Sequence, residues 1–145
     1  MGLAHGAAPA ADGSYSFLEW DMPTIVGIMI AGALGAAARY GLDGLVSDRA
    51  GSAFPWGTFV VNMTGAFLLG FLFTVATERV VVDAWLRFAI TTGFIGSYTT
   101  FSTLSLESAR LVEDRSYSLA LLNAGGSMVA GMVAVGAGIV LGRAV

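Results

Sequence analysis

Long apolar runs separated by short polar segments dominate the chain from Thr24 to its end. Four of these runs are long enough for a helix to cross a hydrocarbon core of about 30 Å, which takes about 20 apolar residues. Because only helices or closed barrels satisfy the backbone in lipid, the pattern predicts an all-α integral membrane protein. The predicted helices cover residues 24–42, 56–77, 86–107 and 117–141. The first loop would be DGLVSDRAGSAFP, residues 43–55.

Composition agrees with this pattern and divides the 145 residues into two parts. Hydrophobic residues make up 56% and charged residues 12%, against about 25% charged in soluble domains. Residues 23–145 form the predicted transmembrane domain. Residues 1–22 lack a basic start and carry acidic residues, unlike a signal peptide. They are predicted to be a disordered or surface-lying extension, with His5 as a solvated residue. The absence of cysteine excludes disulfides and thiolate sites.

The seven basic residues are all arginine and are almost evenly distributed between the two predicted membrane sides. One side holds Arg79, Arg87 and Arg143, and the other holds Arg49, Arg110 and Arg115. Since arginine asymmetry normally sets orientation, this balance favours insertion in both orientations. A fixed orientation that a few charges misjudge is the alternative. The 20 glycines indicate close helix contacts and a homo-oligomer. The sequence has no run of basic residues that would indicate binding to nucleic acid.

The third predicted helix carries an unusual density of hydrogen-bonding groups. Residues 91–108, TTGFIGSYTTFSTLSLES, contain ten hydroxyl side chains and two glycines, Gly93 and Gly96. Polar groups at membrane depth are costly and usually face the protein interior or a wet path. The glycines and Thr99-Thr100 predict a helix broken near its middle, whose freed backbone groups line a cavity or bind an ion. The alternative is a continuous helix whose hydroxyls bond their own carbonyls and neighbouring helices.

Further polar groups lie in the second and fourth helices. Asn62, with Thr58 one turn earlier, offers two amide N–H donors. Asn123 and Ser127 are four residues apart and share a helix face. The ring edge of Phe101 carries the positive part of the aromatic quadrupole. Each also has a structural explanation, which is an interhelical hydrogen bond for an amide and plain packing for a phenylalanine.

Formal charge is almost absent from this set. Arg39 and Glu107 are predicted near helix ends, where they extend to water or pair with each other as a structural pair or a vestibule. A fixed arginine in a narrow path would bind an anion too tightly to release it. The residues alone therefore favour a path for a small anion or a neutral solute and leave both open.

Four motifs make the chain resemble the Fluc/CrcB family of fluoride channels over almost everything after the extension. They are GALGAAARYGL (32–42), PWGTFVVNMTGAFLLG (55–70), TTGFIGSYTTFSTLSLE (91–107) and, more weakly, NAGGS (123–127). The resemblance implies a channel rather than an enzyme. It would be an antiparallel, dual-topology homodimer in a prokaryotic cell membrane that passes fluoride outward passively and so reduces its toxicity.

The resemblance also implies roles for individual residues. The fluoride path at the dimer interface would include Asn62, Thr58, Phe101, Ser102, Thr103 and Ser127. Gly96 and Thr99 match a helix break whose backbone carbonyls hold a structural sodium ion (Na⁺) on the dimer axis. Two carbonyls from each subunit would supply four oxygen ligands, which suit a hard cation.

Two positions depart from the family pattern. Leu104 stands where the family has a second pore phenylalanine, and a leucine has no positive ring edge. Asn123 stands where the family often has an aromatic residue, and it would either add a donor or hold helices together. Leu104 therefore puts a two-ring anion site in question.

Three other functions were weighed against the channel. A small proton-coupled multidrug exporter needs a titratable carboxylate at mid-membrane, and none is predicted there. A membrane enzyme needs a positioned base, and the chain's one histidine lies in the extension. A non-conducting helper subunit would bind partners through its glycine faces and carry no ion flux.

Overall fold

A computed structural model describes residues 22–80 and 82–145, and in them the chain is entirely helical apart from short turns. Helix α1 is Met22–Ala50, α2 is Trp56–Arg79 and α5 is Tyr117–Ala144. Between α2 and α5, helix α3 covers residues 84–98 and α4 is Phe101–Glu113. The predicted extension lies outside the described residues except for Met22, which begins α1. His5 lies outside them as well.

Three of the described helices are long and apolar enough to cross a membrane, namely Met22–Ala50, Trp56–Arg79 and Tyr117–Ala144. The fourth predicted span is divided into α3 and α4, and neither part is long enough alone. The prediction of four helical segments with an interrupted third one is therefore confirmed. The predicted bounds 86–107 were too short, since helix begins at Ala84 and ends at Glu113.

The predicted first loop was wrong over residues 43–50, because α1 continues through Ala50. Polar side chains there bond within the helix. Ser47 Oγ donates to Asp43 Oδ1 at 3.3 Å, and Arg49 Nη1 donates to the Leu45 carbonyl at 3.1 Å. The helix ends at Ala50, and the next residue, Gly51, has a φ of +80°, which favours glycine. A prediction from apolar content alone identified the apolar part of α1 and missed its polar last turns.

Glycines let helices approach at two interfaces. On α2 and α5, a Cβ at Gly70 would overlap the Val135 carbonyl, and a Cβ at Gly138 would overlap the Phe67 carbonyl. Between α1 and α3, a Cβ at Gly35 would overlap the Phe94 carbonyl. These contacts fit the close packing of small residues in membrane helices. They hold α1 beside α3 and α5 beside α2.

Within residues 22–80 and 82–145, three π-helical stretches interrupt the regular winding, at Val75–Arg79, Ala89–Ile95 and Leu122–Gly126. Such stretches are rare and often occur near functional sites. The second runs into the break between α3 and α4, and the third contains Asn123. Two of the three stretches therefore lie at the hydroxyl-rich segment or on the part of α5 that bonds to it.

Most large apolar side chains lie on the outside of the subunit, especially on α1 and α5. Val61 and Ile95 are among the few large apolar residues that are fully buried. A contiguous apolar exterior of this kind marks a membrane or a protein interface. The fold is therefore that of a membrane protein.

Candidate ion pathway at the helix break

The break between α3 and α4 lies at Thr99 and Thr100, both of which are extended. Their φ/ψ angles are −79°/157° and −146°/113°. Asn62 of α2 bonds both backbone groups of Thr100: Oδ1 accepts from the Thr100 N–H at 2.8 Å, and Nδ2 donates to the Thr100 carbonyl at 3.1 Å. Because Nδ2 carries two hydrogens, one N–H of Asn62 has no hydrogen-bond partner among the described residues.

Thr100 also caps the helix that follows it. Its Oγ1 accepts from the Thr103 backbone N–H at 3.2 Å and donates to Thr103 Oγ1 at 2.9 Å. Ser102 Oγ lies 3.3 Å from the same oxygen. A threonine at the N-cap satisfies a backbone donor that a helix start leaves open. The cap and the Asn62 bonds together fix where α4 begins.

The backbone groups predicted to hold a cation lie directly before this start. Gly96 itself is α-helical, with φ −62° and ψ −33°, so of the two residues predicted at the break, Thr99 lies at it and Gly96 lies one turn before it. In a continuous helix its carbonyl would accept from the Thr100 N–H, which instead donates to Asn62. Thr99 Oγ1 bonds the Ile95 carbonyl at 3.1 Å. The Gly96 carbonyl is thereby released from its helical partner.

Thr58, one turn before Asn62, is 2% exposed and donates to Glu107 Oε1 at 2.7 Å. The other carboxylate oxygen, Oε2, is buried and has no hydrogen-bond partner among the described residues. Glu107 does not end the third segment as predicted, since α4 continues to Glu113. Arg39 was also predicted near a helix end and lies inside α1 instead. Within the described ranges these two residues form no ion pair.

A cavity of about 130 Å³ opens where α1, α2 and α4 meet. Its lining combines hydroxyls with one cation and one carboxylate: Ala36, Arg39, Tyr40, Asp43, Thr58, Val61, Thr100 and Thr103. The structure thus brings the predicted Thr58, Thr103 and Arg39 together, and Glu107 joins them through Thr58. Because Asp43 offsets the charge of Arg39 at this wall, the groups that the cavity offers to a small anion are mainly its hydroxyl donors.

Phe101 follows the cavity-lining Thr100 in the chain and is itself 80% exposed, and Ser102 is exposed as well. Leu104 is half-buried, and its carbonyl accepts from Ser108 Oγ at 2.7 Å. A phenylalanine this open near the middle of a membrane segment is unusual unless lipid or a second subunit covers it. Phe101 and Ser102 therefore lie on the outer surface of the described chain, directly after the break.

On α5, Asn123 and Ser127 are both buried, with exposures of 0% and 4%. Asn123 Nδ2 donates to Ser108 Oγ at 3.0 Å and to the Leu104 carbonyl at 3.4 Å. Asn123 Oδ1 and Ser127 Oγ have no hydrogen-bond partner among the described residues. Of the two uses predicted for Asn123, these bonds favour holding α5 against α4. The Ser127 hydroxyl keeps its bonding capacity free.

Sequence reasoning missed two contributors to this site. Thr100 was treated as a weak point of the helix, whereas it is the cap of α4 and the partner of Asn62. Its signal was its residue type, since threonine directly before a helical segment is favoured at the N-cap. Ser108 had no such signal, because its role depends on the distant Asn123.

The fold and this site together define a class of protein. It is an all-helical, multi-pass membrane protein whose third segment breaks beside uncharged hydrogen-bond donors. Residues 26–139 match the family described as "CrcB-like protein, Camphor Resistance (CrcB)". The chain belongs to this family, and the resemblance predicted from its motifs is confirmed.

Curated relatives agree with the family match. The chain is 47% identical over 116 residues to the "Fluoride-specific ion channel FluC" of Solidesulfovibrio magneticus, covering 80% of this chain and 93% of the relative. It is 44% identical over 122 residues to the protein of that name from Geobacter sulfurreducens, covering 84% and 98%. It is 45% identical over 118 residues to "Fluoride-specific ion channel FluC 1" of Leifsonia xyli, covering 81% and 85%. These names describe ion channels rather than enzymes.

Proposed function

We propose that the chain forms a passive channel that carries fluoride out of the cell and so limits its toxicity. The observation that carries the proposal is the broken third segment. Its hydroxyls, with Thr58 and one free N–H of Asn62, supply uncharged donors beside a polar cavity. Such donors replace part of an anion's water shell without the tight binding of a buried cation. The relatives named as fluoride-specific channels support the same choice of ion.

The working unit proposed here is an antiparallel homodimer with its paths along the subunit interface. The surface of the single chain exposes Phe101, Ser102 and Gly96. Phe101 and Ser102 belong to the predicted path, which should be enclosed. A second copy would cover them and complete the path. The near-equal distribution of arginines supports insertion in both orientations.

A structural sodium ion on the dimer axis is part of the proposal. Among residues 22–80 and 82–145 no group of three or more His, Cys, Asp or Glu side chains could hold a metal ion. A cation at the break would therefore take backbone oxygens, and the Gly96 carbonyl has lost its helical donor to Asn62. Hard cations prefer such oxygen ligands. The bound ion would add positive charge beside the anion path.

One observation favours the alternative of a proton-coupled exporter. The same flux experiment tests both the channel and the exporter. Glu107 lies inside α4, half-buried, whereas it was predicted at a helix end. It is therefore the kind of carboxylate that a proton-coupled exporter needs. Fluoride flux that needs no pH gradient or organic cation would exclude this mechanism.

The test is fluoride efflux from liposomes that contain only the purified chain, measured with a fluoride-selective electrode. Passive efflux is expected, with chloride passing far less well. Phe101→Ile, which removes the ring edge, and Asn62→Asp, which replaces the N–H donor by a charge, should each reduce efflux about tenfold or more, or about 1.4 kcal/mol of barrier.

Thr77→Val serves as the matched control, because Thr77 bonds only carbonyls of its own helix. It should leave efflux unchanged. Undiminished efflux in both the Phe101 and Asn62 variants would overturn the site assignments. An absence of fluoride flux from the wild-type protein would overturn the function itself.

A further inference from the structure

A second cavity lies at the other end of the subunit, away from the helix break. It has a volume of about 300 Å³ and lies where the end of α2 approaches the start of α3. Two arginines, Arg79 and Arg87, contribute to its wall, together with Thr77, Glu78 and short apolar side chains. The proposed fluoride path uses none of these residues.

The charge of this cavity is set by an ion pair. Arg143 of α5 holds the Glu78 carboxylate with two nitrogens, Nε to Oε2 at 3.2 Å and Nη2 to Oε1 at 3.2 Å. Neither Arg79 nor Arg87 forms an ion pair with any described residue. Asp83 is the other acidic residue of this loop and does not line the cavity. The cavity wall therefore presents two unpaired guanidinium groups and a neutralised carboxylate.

The position of the cavity corresponds to the membrane surface. Arg79 is the last residue of the spanning helix α2. Large aromatic side chains around it are exposed, with Phe73 at 52%, Trp85 at 40% and Phe88 at 49%. Exposed aromatic residues beside arginines at a helix end are typical of the headgroup level. Basic pockets between membrane helices at this level bind lipid headgroups.

We propose that this cavity, which we call the α2–α3 headgroup site, binds the phosphate of an anionic phospholipid. Guanidinium groups match phosphate oxygens with paired N–H donors. A zwitterionic headgroup carries an ammonium that two unpaired arginines repel, so the site selects a lipid with net negative charge. The site is independent of the proposed fluoride function. In the proposed antiparallel dimer, one copy would lie in each leaflet.

The test uses the purified full-length chain in detergent, equilibrated with phosphatidylglycerol or phosphatidylcholine, with retained lipid measured by native mass spectrometry. The wild-type protein should retain phosphatidylglycerol in preference to phosphatidylcholine. Arg79→Gln and Arg87→Gln should each weaken that retention about fivefold, from about 1 kcal/mol per basic residue. Arg87→Lys should lie between wild type and Arg87→Gln.

Arg49→Gln, at the opposite end of the subunit, is the matched control and should retain phosphatidylglycerol as the wild type does. Circular dichroism and size-exclusion chromatography check that each variant is folded. If Arg87→Gln does not fold, the exposed Arg79 decides the test alone. Equal retention of both lipids, or undiminished retention in the folded Gln variants, would overturn the site. Displacement of the lipid by inorganic phosphate at equal concentration would overturn its assignment to a headgroup.

Discussion

Thr58 and Asn62 lie one turn apart on α2 and hold different parts of the third segment. Asn62 bonds the backbone at the break, whereas Thr58 bonds a carboxylate two turns further along α4. A hydrogen bond to a charged group contributes more than one between neutral groups. Losing a partner also leaves the half-buried carboxylate of Glu107 without compensation. Single side chains on α2 thus determine both the position and the stability of α4.

Replacing Thr58 by valine should destabilise the protein. Thr58→Val keeps the shape of the side chain and removes the donor to Glu107 Oε1, while Oε2 already has no partner among the described residues. The expected loss is about 1–3 kcal/mol of unfolding free energy, measured by denaturant or thermal unfolding in detergent. Thr77→Val, whose hydroxyl bonds only its own helix, should change stability by less than about 0.5 kcal/mol. Equal losses in the two variants would contradict this account.

Replacing Leu104 by phenylalanine tests the departure from the family pattern. Leu104 is half-buried beside the exposed Phe101, so a ring there has room on the open side of the subunit. We expect Leu104→Phe to raise fluoride efflux by up to about tenfold, because a second ring edge would stabilise the anion. Leu104→Met changes the shape of the side chain without adding a ring and should leave the rate unchanged. If Leu104→Phe conducts no faster than the wild type, one ring per path suffices.

The helices illustrate what periodicity and composition predict well and what they do not. The four apolar segments and the weakness of the third were readable from the sequence, because lipid requires long apolar helices. The end of α1 was not, since Asp43, Ser47 and Arg49 look like loop residues but bond within the helix. The local pattern of glycines and Thr99-Thr100 predicted the break, but its bonds to Asn62, a residue far away in sequence, could not be predicted from that pattern.

Substitution of Gly138 should weaken the contact between α2 and α5. A Cβ at Gly138 would overlap the Phe67 carbonyl, whereas a Cβ at Gly136 meets nothing within 4 Å. Gly138→Ala should therefore cost about 1–3 kcal/mol through forced separation of the helices. Gly136→Ala, two residues away, should be neutral or slightly stabilising. Thermal unfolding in detergent compares them, and a smaller loss at Gly138 than at Gly136 would refute the packing argument.

At the scale of the whole molecule, some polar residues are buried inside the chain while residues of the proposed path are exposed. Asn123 and Val61 are completely buried, while Phe101 and Gly96 at the proposed path face outward. The helix ends carry similar numbers of arginines, and Arg143 is bound to Glu78 across α2 and α5. Nothing in this distribution strongly prefers one orientation in the membrane. The proposed pair of oppositely inserted copies would cover the outward-facing wall.

Extra positive charge at one end should fix the orientation. Glu113 and Asp114 are exposed between α4 and α5, so replacing both by arginine should hold that end in the cytoplasm. The chain has no cysteine, and Ser52→Cys places one thiol at the same end. With an impermeant thiol reagent outside the cell, labelling should be substantial in the wild-type background and nearly lost with the added arginines. Glu113→Gln with Asp114→Asn is the control and should label as wild type does.

The bonds from Asn62 to the Thr100 backbone have a consequence for biosynthesis. Before the nascent third segment packs against α2, no side chain accepts from the Thr100 N–H. Because an unbonded N–H is costly in lipid, the Thr100 N–H is then expected to donate to the Gly96 carbonyl, as in a regular helix. We therefore expect this segment to enter the membrane as one uninterrupted rod. Thiol accessibility of Ser102→Cys in ribosome-bound chains of increasing length would report the change. The kink would then be acquired during maturation, when the second and third segments dock, and a chain that loses Asn62 would remain straight.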